Sequence, residues 1–277
     1  MSSRKPALLL ASLLGLSSAL MATTPATETT PPPTTTPMTA AVPVSPPMPT
    51  AIPNANPPSP AIPTAITQQL NQLLPGITPD HIEETPLAGL YEVMIGSEVV
   101  YLSANGRFLI KGELLDLQQK QNLTENRLNQ LHSKTLAQVK EEDMIVFAPD
   151  DYQHTITVFT DIDCGYCRKL HNEMAGFAAQ KIRVRYLLYP RTGLDSPSYD
   201  KAVSVWCAQD RKQALTQAKQ DKPIAAKTCE NPVSQQMELG HSLGVSGTPT
   251  IILESGKVIP GYLPPIRLAA LLNDKSP

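Results

Sequence analysis

The sequence predicts an α/β protein in which a small α+β domain and a helical linker precede a larger domain with a mixed sheet and flanking helices. Three patterns lead to this prediction. One helical stretch and several short β-rich runs fill residues 64–123, a mostly polar helical stretch follows over 124–147, and strands alternate with helices over 148–277. Strands that alternate with helices are typical of a sheet covered by helices.

The composition limits the classes of function to be considered. The 277 residues are 41% hydrophobic and 17% charged, which suffices for one or two domains with a buried core. A formal net charge of −2 offers no basic surface, so we expect no nucleic acid among the partners. Four cysteines in a chain of this length do not make a disulfide-dense scaffold.

Residues 1–22 have the pattern of a secretory signal peptide. Arg4 and Lys5 precede an apolar run from Ala7 to Leu20, and small residues end the segment near Ala22. This pattern marks an export signal, and the run is too short to span a bilayer comfortably. An uncleaved membrane anchor is the alternative. Export matters for the cysteines, because thiols can pair outside the cytosol.

Residues 23–63 are dominated by proline and threonine. The segment holds 14 of the 28 prolines and ten threonines, with a single charged residue, Glu28. It has too little apolar surface to offset the entropy lost on ordering, and proline favours an extended backbone. We expect a disordered, semi-stiff tether, with a glycosylated or protein-binding stalk as the alternative.

The small domain (64–123) begins with a helix and continues with strands. The helix is indicated by apolar residues at helical spacing, Ile66, Leu70, Leu73 and Leu74, before a stop at Pro75-Gly76. The β-rich runs are Tyr91–Ile95, Glu98–Ser103 and Arg107–Lys111. Asn105-Gly106 predicts a tight hairpin turn between the last two runs. One helix with three or four strands makes a thin core with open sheet edges, so we expect this domain to dimerise.

The segment 124–147 is expected to be a helical linker. Leu128, Leu131 and Leu136 recur at helical spacing through polar sequence, and Thr124 is a candidate N-cap. A mostly polar helix between two globular parts is typical of a connecting rod. An ordinary surface helix of either domain fits the pattern equally well.

The large domain (148–277) has the element order of an α/β sandwich of the thioredoxin type. We expect a strand at Thr155–Thr160, a helix to about Gln180, a strand at Ile182–Leu188, helices around Ala202–Trp206 and Met237–Leu243, strands at Thr250–Leu253 and Val258–Tyr262, and a helix at Pro265–Asn273.

The predicted chemistry lies at Cys164-Gly165-Tyr166-Cys167, between the first strand of this domain and its first helix. At a helix N-terminus, unpaired N–H groups and the helix dipole stabilise a thiolate, which is the attacking species in disulfide exchange. Cys164 occupies that position, and Cys167 can close a small ring with it and resolve a mixed disulfide.

Charged neighbours of the motif act in opposite directions. Arg168 and Lys169 would lower the pKa of the Cys164 thiol, whereas Asp161 and Asp163 would raise it. The sequence leaves open which of the two effects is larger.

A metal site is the alternative for two cysteines at this spacing. Zinc sites usually combine two such cysteine pairs, or one pair with two histidines. Here His171 is the only nearby histidine, and the other cysteines, Cys207 and Cys229, stand 22 residues apart. We therefore expect no metal and no other cofactor.

Cys207 and Cys229 are predicted to form a structural disulfide. In an exported protein, closing a loop of about 20 residues stabilises the fold by roughly 3 kcal/mol on the chain-entropy model. Two free buried thiols are the alternative. Trp206, the only tryptophan of the chain, is adjacent to this pair.

Gly247-Thr248-Pro249-Thr250 is the expected second half of the site. A proline directly before a strand is tolerated at its first residue. In the thioredoxin fold the peptide bond before this proline is cis and lies against the cysteine motif. An ordinary trans turn proline is the alternative, since most X-Pro bonds are trans.

From about Thr64 to its end, the sequence resembles the DsbC and DsbG family of bacterial periplasmic disulfide isomerases. The resemblance rests on three runs: Ile156–His171 (ITVFTDIDCGYCRKLH), Gly244–Pro249 (GVSGTP) and Pro260–Pro265 (PGYLPP). Cys207 and Cys229 also fall where the family carries its structural disulfide. The proline- and threonine-rich tether departs from the family's pattern.

The resemblance implies a V-shaped homodimer joined through the small domains by strand pairing. It implies that Cys164 is the nucleophile, Cys167 the resolving thiol, and Thr248, Pro249 and Tyr166 the residues that contact substrate. It also implies a periplasmic protein that acts on misoxidised or unfolded periplasmic proteins and is kept reduced by a membrane thiol reductase of the DsbD type.

The main hypothesis is therefore an exported thiol:disulfide isomerase. A net oxidant of the DsbA type is one alternative, but that family inserts a helical domain into the thioredoxin fold, whereas the extra domain precedes the fold here. A chaperone of the DsbG type, which holds unfolded chains without using its cysteines, is the other alternative.

Overall fold

The computed structural model describes residues 63–73 and 75–274. The expected signal peptide (1–22) and all of the expected tether except Pro63 lie outside the described residues, as does Leu74 of the first helix. In the described part of the chain, no helix is both long enough and apolar enough to cross a membrane.

The small domain is a four-stranded antiparallel sheet covered by one helix. Its elements are α1 (Thr64–Leu73), β1 (His81–Glu84), β2 (Leu90–Ile95), β3 (Glu98–Ser103) and β4 (Leu109–Ile110), and the sheet order is β1-β2-β3-β4. Across β2 and β3, Tyr91 pairs with Leu102 and Val93 pairs with Val100. Side chains alternate along a strand, so these four residues share one face, and α1 covers that face.

The first helix and the first two predicted strands are confirmed. Ile66 and Leu70 are buried as expected, whereas Leu73 is 54% exposed. Leu73 lies on the same helical face in the last turn of α1, where the cluster formed with the sheet no longer covers the helix. β1 was not among the predicted strands, and neither was a short hairpin made of β5 (Leu115–Asp116) and β6 (Gln121–Asn122).

The predicted turn at Asn105-Gly106 is wrong in detail. The third predicted strand is reduced to β4, and a longer loop replaces the two-residue turn. Gly106 has positive φ (68°), but Asn105 does not, and a primed type I turn needs positive φ at both positions. Instead, the Asn105 side chain accepts hydrogen bonds from the Ser103 hydroxyl (2.7 Å) and the Arg107 N–H (3.0 Å).

The expected linker contains α2 (Leu123–Ala137), and its N-cap differs from the expectation. The N-cap is Asn122, whose side chain accepts a hydrogen bond from the Glu125 N–H at 3.0 Å. Thr124 lies inside the first turn instead, and its buried hydroxyl bonds to the Tyr101 hydroxyl. The helix thus begins two residues earlier than expected, and the Asn122 side chain satisfies one of the free N–H groups of its first turn.

Both ends of α2 are attached to folded elements. Arg127 forms ion pairs with Glu83 of β1 and Glu92 of β2. Further along the helix, His132 Nδ1 lies 3.1 Å from the Gly256 carbonyl oxygen of the large domain. The helix is therefore packed against both domains along its length.

The large domain contains a five-stranded mixed sheet. Its elements are β7 (Ile145–Phe147), β8 (His154–Thr160), α3 (Gly165–Asn172), α4 (Met174–Ala179), β9 (Ile182–Leu188), α5 (Pro197–Trp206), α6 (Arg211–Lys219), α7 (Val233–Ser242), β10 (Thr250–Leu253), β11 (Val258–Pro260) and α8 (Pro265–Asn273). The sheet order is β11-β10-β8-β9-β7, with β8 and β9 parallel and the other neighbours antiparallel.

The predicted thioredoxin-type fold is confirmed, with two changes of detail. β7 pairs with β9 at residues 145–147, so the sheet begins inside the segment assigned to the linker rather than at residue 148. A three-residue strand is too short to show alternation in sequence. The helix expected to run to Gln180 is divided into α3 and α4, which meet at Glu173.

Two cores lie on opposite faces of this sheet. Along β8, Ile156 and Val158 belong to one core and Phe159 to the other. Along β10, Ile251 belongs to the first core and Ile252 to the second. A sheet buried on both faces explains why its strands are nearly continuous apolar runs, and it fixes the end of β8, where the cysteine motif follows.

Candidate active site

The cysteine motif lies where β8 ends and α3 begins. β8 is a central strand between β10 and β9, and Cys164 is the N-cap residue of α3, with extended backbone (φ −79°, ψ 124°). The Cys164 carbonyl accepts the helical hydrogen bond from the Arg168 N–H at 3.0 Å. The unpaired N–H groups of the first turn and the helix dipole thus favour negative charge at this position.

Cys164 is a free thiol whose surroundings lower its pKa. Only 5% of the residue is exposed, and burial by itself raises the pKa. Hydrogen bonds from the backbone and side chain of Cys167 and from the Thr248 side chain, with the positive charge of Arg191, outweigh that effect. The net result is a thiol that ionises more readily than an ordinary cysteine.

Cys167 is also a free thiol, but its pKa is raised. It is 1% exposed, and burial is the largest cause of the shift. The positive charge of Lys219 and hydrogen bonds from the Thr160 side chain and the Asp161 backbone oppose it without overcoming it. Two thiols in the same helical turn therefore differ in the direction of their pKa shifts.

The segment before β10 lies against the motif. β10 pairs with β8, with Thr250 opposite Phe159, and the Thr248–Pro249 peptide bond is cis. The Cys164 Sγ donates to the Thr248 carbonyl oxygen at 3.2 Å. The Thr248 hydroxyl is buried without a hydrogen-bond partner at normal distance, and as a donor near the two sulfurs it lowers the pKa of both thiols. The two predicted halves of the site are thus brought together.

Four hydrogen-bond donors surround the Asp161 carboxylate. It is 2% exposed and accepts hydrogen bonds from the Arg191 N–H (3.0 Å) and Nε (3.1 Å), the Ser198 hydroxyl (2.7 Å) and the Asp163 N–H (2.8 Å). Burial raises the pKa of Asp161, but these hydrogen bonds outweigh it and the pKa is lowered. Asp161 is thus a paired carboxylate.

Arg191, rather than the residues that follow the motif, is a cation that lowers the Cys164 pKa. Arg168 forms ion pairs with aspartates on either side, and Lys169 lies against the Tyr262 ring, with Nζ 4.5 Å from its centre. The sequence left open whether the pKa of Cys164 is raised or lowered. In the structure it is lowered, in part by Arg191, a cation from a different part of the chain.

The remaining predicted site residues take separate positions. Tyr166, between the two cysteines, is 66% exposed. Cys207 and Cys229 are joined by a disulfide with a Cα–Cα distance of 5.7 Å, which links the end of α5 to the segment before α7. Trp206 is buried beside this bond, and the Arg211 guanidinium lies 3.6 Å from its ring centre.

His171 is a buried structural histidine in this arrangement. Its ring nitrogens lie 3.2 Å from the Tyr186 hydroxyl and 3.0 Å from the Thr216 hydroxyl. Burial, with a smaller contribution from Lys219, lowers the pKa of His171 to about 4, so the ring is neutral near pH 7. Among the residues that the structure describes, no group of three or more His, Cys, Asp or Glu side chains is placed to hold a metal ion.

Three residues of the site were not singled out from the sequence. Arg191 comes from the loop after β9, Ser198 from the first turn of α5, and Lys219 from the end of α6. Only Lys219 has a local signal, because it follows Leu215 by four residues and thus lies on the buried stripe of α6. Nothing in the local pattern around Arg191 or Ser198 marks them as partners of Asp161.

Comparison with known proteins agrees with this geometry. The family model described as the disulfide bond isomerase protein N-terminal domain matches residues 54–125, and a thioredoxin-like domain model matches residues 140–276. The thiol:disulfide interchange protein DsbC of Escherichia coli (strain K12) is 38% identical over 210 residues, which are 76% of this chain and 87% of that protein. The chain belongs to the DsbC family. The DsbC of Salmonella typhimurium is 40% identical over 210 residues, covering 76% of this chain and 86% of that protein.

Membership in the DsbC family confirms the resemblance stated from the motifs and the predicted fold class. It also confirms the predicted class of enzyme, a protein disulfide isomerase of the thiol:disulfide interchange type. The thioredoxin-like match begins at residue 140, which agrees with the position of β7 and with an earlier domain boundary than expected.

Proposed function

We propose that the chain reshuffles incorrect disulfides in exported proteins, with Cys164 as the nucleophile and Cys167 as the resolving thiol. The Cys164 thiolate attacks one sulfur of a substrate disulfide, and the other substrate sulfur leaves as a thiolate. A second substrate thiolate then displaces Cys164, which completes isomerisation without net oxidation or reduction. In the alternative outcome, Cys167 displaces the substrate and leaves it reduced.

These roles are supported by the pKa shifts of the two thiols, which have opposite directions. A lowered pKa at Cys164 increases the fraction of its sulfur that is present as the attacking thiolate. A raised pKa at Cys167 keeps that sulfur protonated, so a substrate has time to rearrange before it is released. Residual exposure also favours Cys164 as the thiol that substrates reach.

Substrate contacts are assigned to Tyr166, Thr248 and Pro249. Tyr166 presents an exposed ring beside the nucleophile, as expected for a residue that binds unfolded polypeptide. Thr248 and Pro249 lie against Cys164, with the Thr248 carbonyl in contact with its sulfur. A substrate chain that places its disulfide at Cys164 would therefore come next to both elements.

The Cys207–Cys229 bond is assigned a structural role. It closes a loop of 22 residues between α5 and α7, distant in sequence from the cysteine motif. Such a bond persists in an oxidising compartment. Together with the expected signal peptide, this supports a periplasmic location, where Cys164 and Cys167 would need a membrane thiol reductase of the DsbD type to stay reduced.

Recovery of scrambled ribonuclease tests the proposed reaction. In a glutathione buffer, catalytic amounts of the mature chain should restore ribonuclease activity, and Cys164→Ser should not. Full activity of Cys164→Ser would contradict the assignment of the nucleophile. Rapid oxidation of reduced ribonuclease without recovery of the scrambled form would identify a net oxidant instead.

Dimerisation through the small domain is supported by the contrast between its two sheet edges. The β1 edge carries charged residues, including Glu83, which pairs with Arg127. The β4 edge exposes apolar side chains, with Phe108 at 56%, Leu109 at 49% and Ile110 at 52% exposure. An open apolar edge is suited to pairing with the same edge of a second copy.

Sedimentation of matched variants tests this interface. The wild-type chain should sediment as a dimer, Ile110→Lys should shift it to the monomer, and Leu87→Lys should leave it dimeric. Leu87 is similarly exposed, at 59%, but lies in the turn between β1 and β2. A monomeric wild-type chain, or equal effects of both substitutions, would contradict pairing along β4.

A chaperone activity is the second candidate function, favoured by further apolar side chains exposed on the small domain. Leu115 is 52% exposed and Leu117 is 84% exposed. If these side chains hold unfolded polypeptide, the Cys164→Ala/Cys167→Ala variant should still suppress aggregation of a cysteine-free client. Loss of suppression in that variant, with its oligomeric state unchanged, would exclude this activity.

A further inference from the structure

Lys219 is a buried cation that the reaction described above leaves without a role. It is the last residue of α6, and only 1% of its surface is exposed. Lysines on helix surfaces normally keep the ammonium in water, because burying a charge is costly unless it is paired. An apolar side chain of similar length would fill the same space without that cost, so the position of Lys219 calls for a chemical explanation.

The Lys219 Nζ is held at the end of β8, directly before the cysteine motif. It donates hydrogen bonds to the Asp161 carbonyl oxygen (2.6 Å) and to the Thr160 hydroxyl (2.7 Å). Among the residues that the structure describes, no carboxylate lies within 4.0 Å of this nitrogen. The Asp161 carboxylate is occupied by other donors, including Arg191 and Ser198. The charge of Lys219 therefore lacks a carboxylate partner.

Cys167 is acted on by the same two residues that hold Lys219. The Thr160 side chain and the Asp161 backbone, which accept hydrogen bonds from the lysine, also lower the pKa of the Cys167 thiol. Cys167 is likewise 1% exposed, so water does not separate the two groups to any large extent. Of the acidic groups around Lys219, the Cys167 thiol interacts with it most strongly.

The other titratable groups around this pair are accounted for. Those that act on Lys219, Cys167 or both are Cys164, Arg168 and His171 of α3, Asp161 at the end of β8, Tyr186 of β9 and Arg191 after β9. His171 is neutral near pH 7, Tyr186 is held protonated by burial, and Arg168 and Asp161 are paired. Arg191 is paired with Asp161, and Cys164 carries no proton once it is bonded to a substrate sulfur. Lys219 and Cys167 then remain as the two buried groups that can exchange a proton.

We propose that Lys219 is the proton acceptor of the resolving step: its Nζ takes the proton of Cys167, and the resulting ammonium is the counter-ion of the Cys167 thiolate. This inference rests on the proposed roles of Cys164 and Cys167. In the step, the S–H bond of Cys167 breaks and the neutral amine of Lys219 gains the proton. The Cys167 sulfur bonds to the Cys164 sulfur, and the bond from Cys164 to the substrate sulfur breaks.

Electrons and protons balance within the chain and its substrate. The substrate sulfur leaves with the electron pair as a thiolate, so the substrate disulfide is reduced and the two cysteines are oxidised to a disulfide. The proton stays on Lys219 until reduction of that disulfide regenerates the Cys167 thiol. Burial lowers the pKa of Lys219 to about 8, which makes the neutral amine accessible near physiological pH.

A two-phase reaction separates this step from the attack of Cys164. A bis-nitrobenzoate disulfide releases one coloured thiolate when Cys164 attacks it and a second when Cys167 displaces the group left on Cys164. Stopped-flow absorbance of the reduced chain, recorded across pH, reports both rates. The Cys167→Ser variant, which should lose only the second phase, assigns the phases.

Lys219→Met removes the charge and both hydrogen bonds, whereas Lys219→Gln keeps a donor for the Asp161 carbonyl without a titratable proton. Both variants should retain the first phase, slow the second by at least about tenfold near neutral pH, and displace its pH profile to higher pH. Lys212→Gln, at an exposed position of the same helix, should match the wild type in both phases.

The outcomes distinguish a wrong role for Lys219 from a wrong assignment of the nucleophile. A second phase in Lys219→Gln with the rate and pH profile of the wild type would overturn the role of Lys219, even if Lys219→Met fails to fold. Absence of a first phase in the wild-type chain would overturn the proposed nucleophile, and the role of Lys219 with it. A displaced profile in Lys219→Gln with an unchanged first phase supports the inference.

Discussion

The two pairs of cysteines lie in the same domain and differ in their bonding state and in the groups that surround them. Cys207 and Cys229 are bonded to each other, and the bond ties the end of α5 to a segment 22 residues away. Cys164 and Cys167 are free, stand in one helical turn, and are surrounded by polar groups that move their pKa values apart. The fold thus uses one pair as a covalent link and keeps the other available for exchange.

The difference shows that burial alone does not decide what a cysteine does. Cys164 and Cys167 are both buried, yet hydrogen bonds and the charge of Arg191 make one of them easier to ionise. Beside the disulfide, the neighbours are the packed ring of Trp206 and the guanidinium of Arg211 above it. Changes near the first pair should therefore alter rates and pH dependence, and changes at the second should alter stability.

Removal of the disulfide is expected to have the largest effect on stability. The variant Cys207→Ala/Cys229→Ala should lose about 3 kcal/mol of unfolding free energy, because its unfolded chain gains the freedom of the opened loop. Urea denaturation followed by circular dichroism measures this. Cys164→Ala/Cys167→Ala is the matched control and should lose no more than about 1 kcal/mol. Equal losses in both variants would remove the distinction between the two pairs.

Acid should weaken the fold on the side of the reactive pair, through His171. The pKa of His171 is about 4 in the folded chain, because of burial and then of Lys219, whereas an ordinary histidine has a pKa of 6.5. Between these values the unfolded state binds the additional proton, so the free energy of unfolding falls as pH falls from about 6.5 to about 4, by about 3 kcal/mol in total.

His171→Gln, which does not titrate in this range, should flatten that dependence in urea titrations at successive pH values. Asp161 has a lowered pKa, so its stabilisation is lost only below the ordinary aspartate pKa of 3.8, and the two effects occupy different pH ranges. An equally steep loss in the His171→Gln variant would show that another group is responsible.

The smallest expected effect concerns the Thr248 hydroxyl. Thr248→Val keeps the shape of the side chain but removes the donor that lowers the pKa of both thiols. The Cys164 pKa should rise, measured by the ultraviolet absorbance of its thiolate, and exchange at neutral pH should slow about threefold. Stability should not fall, because the buried Thr248 hydroxyl makes no hydrogen bond of normal length that the substitution would break.

Thr250→Val is the control for that change. The Thr250 hydroxyl donates to the Gly247 carbonyl at 2.7 Å and is not among the groups that act on either thiol. Its loss should cost about 1 kcal/mol of stability and leave the Cys164 pKa unchanged. The opposite pattern in the two threonine variants would contradict the assignment of Thr248 as the donor.

Local sequence patterns predicted much of the large domain because its strands and helices carry strong periodicity. The strand Thr250–Leu253 and the helix Pro265–Asn273 have the expected bounds, and the position of Cys164 at a helix N-terminus follows from the strand that precedes it. The three-residue strand β7 has no such pattern, because its place in the sheet depends on pairing with β9. The domain boundary was therefore placed too late.

The charges around the cysteines were less predictable for a related reason. Arg168 and Lys169 are next to the motif in sequence, but their side chains are engaged elsewhere. Arg191 and Lys219, which do act on the thiols, are brought in by β9 and α6 from more than twenty residues away. Sequence proximity is a poor guide to electrostatic proximity when the tertiary fold supplies the cations.

The attachment of α2 to the large domain has a mechanical consequence. Gly256 has φ +86°, and a Cβ at this position would overlap the Asn129 carbonyl of the helix; the Ser133 hydroxyl also donates to the Glu254 carbonyl at 2.9 Å. The helix α2 has 15 residues and is about 22 Å long, and it packs so closely against this turn that only glycine fits at position 256. Each residue inserted into or removed from α2 would therefore change the separation of the two attached domains by about 1.5 Å and rotate one against the other by about 100°.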